Sequence, residues 1–109
     1  MAEKKRSRRI TIGQTTIQAE TLLGYLEDLA ARLNIRLVYD RGSFRGGSCV
    51  VHEERVIVVN KQRPIEERLR VLARGFSTFD LEGVYMVPVL RSYLERVQES
   101  LFPPGGQIP

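Results

Sequence analysis

The sequence predicts a small α+β domain: a three-stranded sheet, built from one strand and an antiparallel hairpin, with about three helices packed on it. Three observations lead there. Apolar residues recur at helical spacing in three stretches, around residues 20–33, 65–76 and 88–101. Between the first two stretches lie three short runs rich in β-branched residues. One of these, Val56-Ile57-Val58-Val59, is apolar on both faces, which marks a central strand rather than an edge. A length of 109 residues holds one domain, and 42% hydrophobic against 28% charged residues is enough apolar material to exclude wholesale disorder.

The first helix is expected from about Glu20 to Leu33, where Leu22, Leu26, Leu29 and Leu33 form one stripe. Asp28 and Arg32 are spaced to pair on its wet side, and Asn34 ends it because asparagine tolerates a left-handed conformation. Ile35 to Tyr39 reads as a strand, and Asp40 to Gly47 as a polar loop with three glycines. Ser48–His52 and Arg55–Asn60 read as a hairpin, turning at Glu53-Glu54. Pro64 opens the second helix, with Glu66 and Glu67 in the first turn and Ile65, Leu69, Leu72, Ala73 and Phe76 facing inward. Gly75 lies inside that helix, where the lack of a Cβ implies close approach of a neighbour. Pro88 starts the third helix, with Leu90, Leu94, Val97 and Leu101 inward, and Pro103-Pro104 ends it. The expected organisation is a flexible basic arm over 1–9, one domain over 10–102, and a tail over 103–109.

Charge and cysteine content narrow the function. The net charge is +4, yet residues 1–9 alone carry five basic groups and one acid, and the remainder sums to zero. The body therefore lacks a uniformly basic face. The arm itself offers Lys4, Lys5, Arg6, Arg8 and Arg9 as candidate RNA or DNA contacts, without an aromatic residue to stack on bases. Cys49 is the single cysteine; beside Val50 and Val51 it is expected to be a buried, inert strand residue. No apolar run is long enough to span a bilayer, and the stretch after the arm is too polar for a signal peptide, so a cytoplasmic location is expected.

The run Arg55-Val56-Ile57-Val58-Val59-Asn60, followed by a polar stretch and Glu67-Arg68-Leu69-Arg70-Val71-Leu72-Ala73, resembles the ImmA/IrrE class of zincin-like metallopeptidases. Val84-Tyr85-Met86-Val87-Pro88 is similar to the segment that follows the active-site helix in that class, and the likeness extends over roughly residues 20–100. The resemblance implies a zincin-like topology. It also places Arg74 where the first zinc-ligand histidine stands, Gly75 at the catalytic glutamate and Thr78 at the second histidine, with Glu82 the only acid near the third ligand. Zincin hydrolysis needs two imidazoles one helical turn apart and a carboxylate beside the metal-bound water. All are replaced, so the resemblance implies a relic scaffold, and neither a catalytic set nor a metal or other cofactor is expected.

A residue count leads to the same place. One His and one Cys do not make a zinc site, and His52 at a hairpin end is not on a helix. Gly42 to Ser48 lacks the lysine of a phosphate-binding loop and reads as turns, although Arg41 and Arg45 flank it and the resemblance puts it near the old cleft. Glu66, Arg70 and Arg74 form either a solvated salt-bridge stripe or a row ending in a ligand-facing arginine. Arg41, Arg45 and Arg74 are thus the candidate cleft contacts. Two functions are expected in order: a non-enzymatic module that binds another protein or a second copy of itself, and a nucleic-acid- or ribosome-associated accessory protein tethered by the arm. No membrane and no small-molecule cofactor is expected, while the loop flanked by Arg41 and Arg45 leaves room for a weak anion or peptide contact.

Overall fold

The computed structural model describes residues 8–101. The chain opens with a hairpin of β1 (Arg9–Ile12) and β2 (Thr15–Gln18), followed by α1 (Ala19–Arg32), β3 (Ile35–Asp40), β4 (Gly46–Val51), β5 (Glu54–Asn60), α2 (Ile65–Phe76) and α3 (Pro88–Leu101). The larger sheet has the order β3-β5-β4, with β5 parallel to β3 and antiparallel to β4. The expected α+β class, the central position of β5 and all three helices are present.

The β1-β2 hairpin is an element that the sequence reading did not place. Ile10 faces Ile17 across it, and with Ile12 these residues pack on the core. It also moves the arm boundary. Arg9 is paired with Gln18, and the Arg8 carbonyl accepts the Ala19 amide at 2.8 Å, so Arg8 and Arg9 belong to the folded body. Lys4, Lys5 and Arg6 lie outside the described residues, as does the expected tail over 103–109.

Helix α1 stops at Asn34, whose φ of 58° turns the chain left-handed into β3. Leu22, Leu26 and Leu29 are fully buried, and the Asp28–Arg32 pair forms at 4.0 Å. They meet Ile35, Ile57 and Val59 from one face of the sheet, together with Leu69, Leu72 and Phe76 of α2 and Leu90 of α3. The helices thus share one face. The opposite face carries Arg36, Val38, Cys49, Val51, Val56 and Val58, as the alternation of side chains along each strand requires. Cys49 is exposed there, contrary to expectation, because β4 is an edge strand whose outer face no helix covers.

The β4–β5 turn is made by His52 and Glu53, at φ 49° and 67°, and so begins one residue earlier than expected. Two left-handed residues make a type I′ turn, the form whose twist matches the flanking strands. His52 is exposed at this turn, as a hairpin-end residue should be. Gly75 lies within α2, and a Cβ built on it would sit 2.8 Å from Ile57 Cδ1. The helix therefore packs its glycine directly against the central strand, as the sequence predicts.

Candidate functional site

Asn60 builds the site. It ends β5 almost fully buried, and its amide donates to the carbonyls of Gly42 (2.8 Å) and Phe44 (2.6 Å). Its carbonyl accepts the backbone N–H of Gln62. One side chain thus closes the β3–β4 loop and the β5–α2 connection against each other. The last residue of the loop, Arg45, is followed by Gly46 at φ 113°, where an added Cβ would lie 2.4 Å from the Val58 carbonyl oxygen and 3.1 Å from Val71 Cγ1. Only glycine permits this approach. It brings β4 against α2 and delivers Arg45 to the helix surface.

A groove of about 230 Å³ results, lined by Arg45, Arg63, Glu67, Arg70, Val71 and Arg74. It shares Arg45, Val71 and Arg74 with a second hollow of about 190 Å³ that ends at Ser48 and Thr78, whose hydroxyls are 3.2 Å apart. Four arginines from three segments line the groove beside a single glutamate. Glu67 pairs with Arg63 at 3.8 Å. Among the described residues, Arg45, Arg70 and Arg74 form no ion pair, and Nε of Arg74 is buried without a hydrogen-bond partner. Tyr93 of α3 stands close enough to feel Arg70 and Arg74. Burial pushes its phenol up to about 12, and the two arginine charges oppose that rise.

The expected salt-bridge stripe does not form as drawn. Glu66 pairs with Arg8 instead, and its carboxyl is held below the usual range first by a backbone hydrogen bond at the helix start and then by Arg8. Of the three candidate cleft residues, Arg45 and Arg74 come together, whereas Arg41 lies exposed on the loop outside the groove. Arg63 and Arg70 were not singled out as cleft contacts. For Arg70 the signal was its spacing from Glu67 and Arg74, at steps of three and four on one helix face, whereas Arg63 lies before the helix start and carried none.

The positions that the resemblance singled out are spread over three places in the structure. Arg74 lines the groove, Gly75 faces Ile57, and Thr78 lies beyond the end of α2 with its hydroxyl donating to the Gly75 carbonyl at 2.7 Å. Glu82 lies away from them, in a hollow with Met86, Arg91 and Glu95. Among the described residues no three His, Cys, Asp or Glu side chains are grouped to hold a metal ion, and no helix is long and apolar enough to cross a membrane. No family model, curated protein or solved structure matches this chain.

Proposed function

We propose that this protein is a non-enzymatic interaction module whose working surface is the arginine groove between β4 and α2, on a relic metallopeptidase-like scaffold. The observation that carries the reading is the convergence of Arg45, Arg63, Arg70 and Arg74 around a single carboxylate. Like charges at i,i+4 on a helix, such as Arg70 and Arg74, cost a few tenths of a kcal/mol. A body whose charges nearly balance, with 14 basic and 12 acidic residues over 8–101, yet which gathers four arginines in one groove is built to receive negative charge. Of the partners expected from the sequence, another protein or a second copy, the groove favours one that presents acids or phosphates. The relic reading is supported by the strand ending in Asn60 and by the Leu72-Ala73-Arg74-Gly75 run on α2.

The test is an NMR titration of the full chain with tripolyphosphate. Backbone amide shifts confined to residues 45–48, 63–67 and 70–78 are expected; shifts scattered over the surface, or none, overturn the reading. Elemental analysis after dialysis is expected to find no stoichiometric zinc, and about one zinc per chain would end the relic reading.

The arm-tethered alternative is weakened in one respect. Two of its five cations, Arg8 and Arg9, are part of the fold, which leaves Lys4, Lys5 and Arg6 to act alone.

A further inference from the structure

We infer that the ligand of this groove is single-stranded nucleic acid held by its phosphodiester backbone, an inference that rests on the groove being the working surface. Three features select this class over an acidic protein.

The first is the shape of the charge. Arg70 and Arg74 are one helical turn apart, about 6 Å along the axis, and Arg63, from the connection before the helix, lines the same groove. With Arg45 from the β3–β4 loop they line one cationic track with room for more than one phosphate. The second is the absence of an anchor. Stable protein interfaces depend on a few aromatic or aliphatic side chains seated in pockets, and here Val71 is the one large apolar residue between the arginines. Guanidinium forks on a shallow polar track recognise a backbone and are blind to sequence. The third is continuity. Arg8 pairs with Glu66, one turn before Arg70 on α2, so the cations bordering the track extend to the residue before β1. The groove is a recess between an edge strand and a helix, which favours a flexible single strand over a rigid duplex.

Fluorescence anisotropy with a labelled twelve-residue oligo-dT, across a range of KCl concentrations, tests this. Single-strand binding loses about 0.7 in slope of log K against log salt per phosphate neutralised. Three or four contacts therefore give a slope between about −2 and about −3. R70A/R74A is expected to reduce that slope by about 1.4 and to weaken binding roughly tenfold or more at low salt. R45A, on a separate segment, is expected to act in the same direction, and R70K/R74K to retain most of the affinity. Circular dichroism establishes that each variant is folded. Binding that survives R70A/R74A and R45A but is lost in K4A/K5A/R6A overturns the inference in favour of the arm. Groove-dependent binding of poly-L-glutamate with none of oligo-dT overturns it in favour of an acidic protein while leaving the groove's role intact. Failure of tripolyphosphate, oligo-dT and polyglutamate alike removes both.

Discussion

At the scale of single residues, Gly75 stands inside α2 on the face that α2 turns to the central strand. Glycine inside a helix costs about 1 kcal/mol relative to alanine, so its presence in an apolar stripe indicated a close neighbour. The neighbour is Ile57, with three side-chain atoms within 3.2 Å of where a Cβ would stand. Ile57 is fully buried and β-branched, so it has little room to yield. Gly75→Ala is expected to lose about 1–2 kcal/mol net, the overpacking cost exceeding the gain in helix propensity. Ile57→Val removes the Cδ1 atom and should recover part of that loss in the double variant. Urea midpoints of the four-member cycle check it; strict additivity would show that the two residues do not meet. Tyr93 offers a second measurement. Its phenol ionises from the folded state near pH 12 and from the unfolded chain near 10.0, so the unfolded state releases its proton first. Stability is therefore unaffected by Tyr93 below pH 10 and declines as pH rises from there towards about 12. Tyr39, raised by burial and by its hydrogen bond to Glu27, acts in the same direction. A spectroscopic tyrosinate titration follows this, and R70A/R74A is expected to move Tyr93 higher still.

At the scale of elements, the long periodic segments were legible and the short or edge-exposed ones were not. The leucine stripe of α1, the proline starts of α2 and α3, and the doubly apolar β5 each announce themselves by spacing. The β1-β2 hairpin escaped because Ile10, Ile12 and Ile17 are spread through threonines and sit next to a basic run that reads as disordered. Cys49 was misplaced because local composition cannot distinguish an edge strand from a covered one: Val50 and Val51 beside it are 62% and 43% exposed. In the site, Arg45 and Arg74 were legible, but the residue that joins their segments was noticed only as a strand terminator. Asn60 gives that role a test. Asn60→Ala removes three hydrogen bonds and is expected to cost about 1–3 kcal/mol. Asn60→Asp should cost more near neutral pH, since a carboxylate would face two carbonyl oxygens. It should regain stability as pH falls and the acid protonates, because that environment raises its folded-state pKa. Equal losses for the two variants at every pH would show that the amide donors are unimportant.

At the scale of the whole molecule, the two-stranded sheet is an integral part of the core. Ile12 is buried, and the Arg8 carbonyl holds the first residue of α1. Removing residues 1–7 is expected to leave the thermal midpoint nearly unchanged. Removing residues 1–12 strips one strand of the hairpin and should lower the midpoint by several degrees, as a loss of roughly 1–2 kcal/mol does in a domain of this size. Equal midpoints would place the hairpin outside the cooperative unit. The sheet order β3-β5-β4 also has a temporal side. Strands β4 and β5 are joined by two residues, and such hairpins close in about 1–10 μs. The β3–β5 ladder instead joins Ile35 to Arg55 and Asp40 to Asn60, across the whole loop and hairpin, and waits on that closure. Until β3 arrives, the most apolar strand of the protein has one bare edge, a template for a second nascent chain. A His52→Asn, Glu53→Gly turn, the pair that type I′ geometry prefers, is expected to accelerate refolding. Val38→Ala, by contrast, should act mainly on the unfolding rate, since β3 joins after the barrier is crossed. Stopped-flow refolding that responds to Val38→Ala more than to the turn would reverse that order. The vulnerable interval would then belong to the hairpin rather than to the strand that completes the sheet.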